Sequence, residues 1–182
     1  MVDEAKIIRE SLGDSPKIYV FSGLLEEDTK KFINYNARPI LNSLDQVAFH
    51  KLNSKSLPFA IQIETGINRL GITAKDWSND LAIGADFVMS HLACADEPGN
   101  TENQDQLNKF INMTSEIKTP KSLSATAGIL LGRNYHFDLT RPGIGLYGGF
   151  PFTDSDQVIS VDLPIIQTKL VSKGETIGYG AK

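Results

Sequence analysis

Short apolar runs alternate with stretches of helical spacing over most of the chain. Runs rich in β-branched and aromatic residues predict six strands, at residues 18–21, 38–41, 59–63, 87–90, 122–125 and 137–139. Apolar residues at helical spacing predict helices at residues 4–12, 26–34, 44–52, 75–81, 102–117 and 127–131. Either Asn42 or Ser43 is placed to cap the third helix. Strands that alternate with helices favour a parallel sheet with helical crossovers.

The number of predicted strands limits the fold class. A closed eightfold barrel needs eight strands and about 250 residues, whereas this chain has 182 residues. We therefore expect an α/β fold, an incomplete (β/α)8 TIM-type barrel at residues 1–150, with a smaller open sheet as the alternative. Beyond Pro151 the period changes to two, which predicts strands at residues 158–161 and 163–171. Residues 151–182 are accordingly expected to begin a C-terminal β domain.

The distribution of charge excludes several classes of partner. The 18 basic and 22 acidic residues give a net charge of −4 and form no basic stripe, so we expect no nucleic acid partner. The first ten residues, MVDEAKIIRE, are unlike a signal peptide, and no apolar run approaches the length of a membrane span. A single cysteine, Cys94, excludes an internal disulfide and a cysteine-based metal cluster. These features predict a cytoplasmic protein without a metal.

Polar and glycine-flanked residues follow the predicted strands, where parallel α/β folds collect their ligands. Arg69 lies between two glycines in ETGINRLGI, and His91 follows the fourth strand. In Arg141-Pro142-Gly143-Ile144-Gly145, the free N–H groups of Gly143 and Ile144 suit a phosphate. Each feature also has an ordinary structural interpretation, as a plain turn or as a packed side chain.

Five stretches of the chain, taken in order, carry a resemblance to one family. They are ETGINRLGI, SHLACADE, SLSATAGILLG, DLTRPGIGLYG and GETIGYGAK. Their order and spacing resemble those of the alanine racemases of fold type III, which depend on pyridoxal 5′-phosphate. The resemblance implies an isomerase that interconverts L- and D-alanine for peptidoglycan synthesis in the cell wall, and that works as a homodimer.

The resemblance assigns three residues to the cofactor ring. Arg69 corresponds to the arginine that contacts the phenolic oxygen of the cofactor and binds substrate. His91 corresponds to the histidine that stacks on the pyridine ring. Arg141 corresponds to the arginine that donates to the pyridine nitrogen, which leaves that nitrogen unprotonated and weakens the cofactor as an electron acceptor.

Four further residues correspond to the phosphate site and to a base. The backbone of Gly143 and Ile144 matches the phosphate donors, and Thr126 matches the hydroxyl donor beside them. Tyr179 matches the tyrosine that acts across the dimer interface as one of two bases, while the cofactor lysine acts as the other.

The chain also departs from the family pattern. Gln62 replaces a lysine that is commonly carbamylated in the family, and Ala125-Thr126 replaces Asn-Ser. Nothing in the chain matches the VxKAxAYGHG stretch that carries the cofactor lysine, nor most of the C-terminal domain. We therefore expect the chain by itself to be an inactive fragment. The alternatives are a non-catalytic barrel that binds pyridoxal 5′-phosphate and a purely structural fragment.

Overall fold

The structure is a computed structural model that describes residues 1–156 and 158–180. Within these residues there are five strands and five α-helices. The strands are β1 (Ile18–Val20), β2 (Ala37–Leu41), β3 (Ala60–Gln62), β4 (Val88–Met89) and β5 (Lys121–Ser122). The helices are α1 (Val2–Leu12), α2 (Thr29–Asn34), α3 (Leu44–Asn53), α4 (Thr101–Thr114) and α5 (Thr126–Leu130).

The five strands form one parallel sheet in chain order, β1-β2-β3-β4-β5. Each strand pairs with the next along the chain, as when Ile40 lies opposite Ala60 and Ile61 lies opposite Val88. This sequential parallel order confirms the predicted α/β architecture. It also brings the carboxyl ends of all five strands to one edge of the sheet.

Side chains on the two faces of the sheet enter two separate clusters. Leu41, Ile61 and Val88 belong to the larger cluster, together with Phe32 of α2 and Phe110 of α4. The other face carries a smaller cluster of Ile40, Ala60, Phe87 and Met89, with Tyr19 packed against it. The helices therefore cover one face, and the opposite face corresponds to the interior of a barrel.

The ends of two helices follow from local hydrogen bonds. Ser43, not Asn42, caps α3, because its Oγ accepts from the backbone N–H of Gln46 at 3.2 Å. Helix α4 ends at Thr114, three residues before the predicted end, and the Thr114 hydroxyl donates to the Phe110 carbonyl at 2.7 Å. Such back-bonding by threonine is mildly unfavourable in a helix.

Three predicted elements differ in the structure. The first three residues of the predicted helix at 26–34 form a 3-10 turn at Glu26–Asp28, and the predicted helix at 75–81 is a 3-10 turn at Asn79–Ala82. The sixth predicted strand, 137–139, does not form. Phe137 has a φ of 52°, and the N–H groups of Asp138 and Leu139 both donate to the Lys121 carbonyl. These hydrogen bonds form a turn in place of a strand. The chain pairs with the preceding segment only at the isolated parallel bridge between Ala125 and Arg141.

The predicted strands at 158–161 and 163–171 are also absent from the part of the chain that the structure describes. Residues 158–180 are exposed and have no strand partner among the described residues. The period-two pattern is present, but a strand needs a ladder of hydrogen bonds to a neighbour. Among all described residues, none of the helices has the length and apolarity of a membrane span.

Candidate functional site

Arg141 lies at the carboxyl ends of β4 and β5 with its guanidinium largely buried. It donates to the Ser122 hydroxyl, to the Ser90 carbonyl at 2.6 Å and to the Leu123 carbonyl at 3.1 Å. Burial lowers the pKa of Arg141 to about 10, so the group stays charged at neutral pH. Buried cations usually pair with an acid, yet no carboxylate of the described residues pairs with this one.

His91 lies beside this guanidinium. Its Nδ1 is 3.5 Å from Arg141 Nη2, a distance at which any hydrogen bond is weak. Burial, and then the positive charges of Arg141 and Arg69, lower the pKa of His91 to about 4. The imidazole is therefore neutral at pH 7, which suits a flat face that packs on a ligand ring rather than a charged group.

Thr126, the first residue of α5, connects this helix to the loop after Arg141. Its buried Oγ1 accepts from the Gly143 N–H at 2.9 Å and from the Gly145 N–H at 3.1 Å. Both lone pairs are then used, and the hydroxyl proton is left to donate to another acceptor. The Ile144 N–H has no hydrogen-bond partner among the residues that the structure describes. The Thr126 hydroxyl and the Ile144 N–H are therefore two hydrogen-bond donors that are free for a ligand among the described residues.

The two glycines of this loop serve different purposes. A Cβ at Gly145 would lie 2.7 Å from Thr126 Cγ2, so packing within the protein requires glycine there. A Cβ at Gly143 would meet no protein atom within 4 Å. The space beside Gly143 is open, as a ligand subsite requires.

A cavity of ≈ 290 Å³ unites four of the candidate residues. His91, Thr126, Gly143 and Ile144 line it, together with Leu92, Asp96 and small residues of the loops after β4 and β5. Its volume is at the lower end of the range for small-molecule sites. The structure therefore brings together the predicted ring-stacking residue and all three predicted phosphate contacts, with Arg141 against His91.

Arg69 lies in the loop after β3, which precedes the His91 loop in the chain, and its side chain is exposed. It lines a neighbouring cavity of ≈ 420 Å³ with Gln62 and Ser22, and its charge acts on His91. The Gln62 amide donates to the Leu70 carbonyl at 2.9 Å, and so holds the loop rather than the arginine side chain. Gly71 is needed here because a Cβ would lie 2.8 Å from the Ile63 carbonyl carbon.

Tyr179 is not brought into this cluster. Its side chain is fully exposed in a turn near the end of the described residues. The predicted base and the predicted cofactor contacts are therefore separate in this chain.

Sequence reasoning missed the residues that hold Arg141 and His91 in place. Ser90 directly follows β4 and Ser122 ends β5, and a single serine beside an apolar run gives no signal. Gln106 lies on α4 and is fully buried. A glutamine on the apolar stripe of an amphipathic helix was the available signal, since Leu107 and Phe110 mark that stripe.

Comparison with known protein families shows the family of this chain. The model of the family described as "Alanine racemase, N-terminal domain" matches residues 1–151. The chain belongs to this alanine racemase family. The family fold is a TIM-type barrel, so the five parallel strands are part of an incomplete barrel, as the sequence predicted.

Individual alanine racemases agree with this assignment. The alanine racemase of Dinoroseobacter shibae is 47% identical over 184 residues, covering 99% of this chain and 53% of that protein. The alanine racemase of Rhizobium meliloti is 35% identical over 195 residues, covering 99% of this chain and 51% of that protein. The chain thus spans about half the length of the curated relatives it matches.

Solved alanine racemases share the fold. The biosynthetic alanine racemase of Pseudomonas aeruginosa superimposes with a TM-score of 0.79 at 25% identity, over 98% of this chain and 55% of that one. The alanine racemase of Bartonella henselae, solved with covalently bound pyridoxal phosphate, gives 0.75 at 26% identity over 84% and 48%.

Proposed function

We propose that this chain forms the cofactor-holding part of an alanine racemase, an isomerase that interconverts L- and D-alanine with pyridoxal 5′-phosphate. The observation that carries the proposal is the single cavity shared by His91, Thr126, Gly143 and Ile144, with the buried charge of Arg141 at its edge. Family membership and the bound cofactor of the B. henselae enzyme support the same cofactor.

The donor set fits a flat ring that carries a phosphate. Arg141 has five N–H groups, and its contacts with Ser122, Ser90 and Leu123 leave others free. Its buried charge, lacking an acidic partner among the described residues, suits an uncharged acceptor such as a pyridine nitrogen. The Thr126 hydroxyl and the Ile144 N–H suit the phosphate oxygens, while the Gly143 N–H holds Thr126 in position.

Bound pyridoxal 5′-phosphate makes the α-proton of an amino acid acidic by withdrawing electrons. Arg141 has a pKa of about 10, so the guanidinium keeps its proton at neutral pH. It would therefore leave the pyridine nitrogen unprotonated and weaken the electron withdrawal. The neutral His91 ring would pack on one side of the cofactor without adding a second charge. Arg69, from the neighbouring loop, would contact the cofactor's phenolic oxygen and bind the substrate.

The proposal extends to the protein as a whole. Residues 151–182 begin a second, β-rich domain, and Tyr179 is a proton-transferring base across the interface of a homodimer. The full exposure of Tyr179 supports this role, because the side chain takes no part in packing within the described residues. The enzyme is cytoplasmic and supplies D-alanine for peptidoglycan.

Calorimetric titration with pyridoxamine 5′-phosphate tests cofactor binding. This analogue has no aldehyde and therefore does not modify surface lysines. We expect it to bind at least tenfold more tightly than pyridoxamine, because the phosphate gains the Thr126 and Ile144 donors. Thr126→Val should remove most of this difference, and Thr126→Ser should restore it. Equal affinity for both compounds would contradict the phosphate site.

The reaction is tested separately, by proton NMR of α-proton exchange in L-alanine in D2O and by chiral chromatography for D-alanine. Protein isolated from its natural source should exchange the α-proton of L-alanine and form D-alanine when pyridoxal 5′-phosphate is present. Tight binding of the analogue without any such exchange would favour the non-catalytic barrel.

A further inference from the structure

Gln106 is a buried amide on α4 that uses both of its polar atoms. Its Oε1 accepts from the Ala93 N–H at 2.8 Å, and its Nε2 donates to the His91 carbonyl at 3.1 Å. The side chain is 0% exposed. The backbone on both sides of Leu92, in the loop after β4, is therefore held by one side chain.

The same amide reaches the loop after β3. Its Nε2 lies 3.3 Å from the Thr65 hydroxyl, which in turn shares a 2.7 Å hydrogen bond with the Ser90 hydroxyl. The Ser90 carbonyl accepts from Arg141. One buried network thus joins the Arg69 loop, the His91 loop and the Arg141 guanidinium.

A glycine leaves room for this contact. A Cβ at Gly66 would lie 2.9 Å from Gln106 Cγ, so the ETGINRLGI loop packs directly on the glutamine. One turn earlier on α4, the Asn103 amide donates to the carbonyls of Cys94 and Glu97 at 3.1 and 3.0 Å. Helix α4 therefore fixes both ends of the loop that begins with His91.

We propose that Gln106 is a positioning residue, which sets His91 against Arg141 and aligns the His91 loop with the Arg69 loop. Gln106 does not line the cavity and acts only through the backbone of residues 91 and 93 and through Thr65. The effect on the cofactor rests on the function proposed above. The placement of His91 does not, and it is measurable in the protein without cofactor.

The replacement of the amide by an apolar side chain of similar size tests this role. Gln106→Met removes all three hydrogen bonds while it keeps the volume. Gln104→Met is the matched control, since Gln104 is exposed on the same helix and bonds only to Asn108. In Gln106→Met we expect the ring of His91 to leave its buried place beside Arg141.

Two readouts separate positioning from stability. The pKa of His91, followed by NMR of the ring protons, should rise by about one unit or more from about 4 toward the ordinary 6.5. The affinity for pyridoxamine 5′-phosphate should fall about tenfold. Gln104→Met should change neither value. A Gln106→Met protein that melts at a lower temperature but keeps the wild-type His91 pKa and affinity would overturn the proposal.

A second variant covers the case in which Gln106→Met does not fold. Thr65→Val keeps the shape of the side chain and breaks the link to Gln106 and Ser90, so it should raise the His91 pKa in the same direction by a smaller amount. An unchanged His91 pKa in a folded Thr65→Val protein would also overturn the proposal. If the unmodified chain fails to bind the analogue, the proposed function fails, and the His91 titration still decides the role of Gln106.

Discussion

His91 makes the stability of the protein depend on pH. Its pKa is about 4 in the folded state and near 6.5 in an unfolded chain. Between these values the unfolded state binds more protons, so the free energy of unfolding falls as the pH drops through this window. The decrease should stay below about 1.4 kcal/mol per pH unit because the ring is partly exposed.

Urea unfolding of the wild type and of His91→Gln at pH 7 and pH 5 measures this contribution. Glutamine does not titrate, so the wild type should lose more stability than the variant on acidification. Comparison with the variant removes the common effect of carboxylates. An equal loss in both proteins would show that the histidine titrates normally in the folded state.

At the residue scale, the sequence predicted candidate ligand contacts but missed the residues that support them. His91 and Arg141 follow strands, and strand ends collect ligands in parallel folds. Ser122 accepts from the Arg141 guanidinium and Gln106 donates to the His91 backbone carbonyl, and both hydrogen bonds depend on the three-dimensional approach of distant segments. That approach has no local signature in the sequence.

In the loop after β3, Gly71 allows the backbone to pack closely against the end of the strand. The backbone of Glu64 and Ile72 is paired, and Gly71, at a φ of 123°, packs against the carbonyl carbon of Ile63. Gly84 also has a positive φ, of 82°, but an added Cβ there would meet nothing within 4 Å.

These two glycines give a matched pair of substitutions. Gly84→Ala should cost about 1 kcal/mol, for the backbone conformation alone. Gly71→Ala should cost roughly 2–3 kcal/mol, because the clash with the backbone adds to that strain. Thermal or urea unfolding of both variants checks the difference. An equal cost would mean that the loop moves freely away from β3.

Among the elements, the order of helices and strands could be predicted, but several ends could not. The turn at 137–139 carries an apolar pattern like a strand, yet both of its N–H groups go to Lys121. Residues 158–171 show the period of a strand without a partner among the described residues. Periodicity reports which side chains share a face, and it does not report whether a neighbouring strand is present.

For the whole molecule, the parallel order of five strands has a direct consequence for function. It places the loops after β3, β4 and β5 at one edge, so that Arg69, His91 and Thr126 approach one another from distant parts of the sequence. This arrangement could be predicted from the alternation of strands and helices. The glycines on either side of Tyr179 favoured its exposure, but the surface that it faces could not be predicted, because that depends on its neighbours in space.

The proposed binding of pyridoxal 5′-phosphate lies at the edge of the sheet, at His91, Arg141 and Ile144. Backbone amide NMR during titration with pyridoxamine 5′-phosphate tests it most directly, since each amide reports its own surroundings. We predict saturable shifts at His91, Thr126 and Ile144, and none at Lys55, which lines a cavity elsewhere. Shifts confined to residues outside the His91 cavity, or no saturable shift at all, would contradict the account.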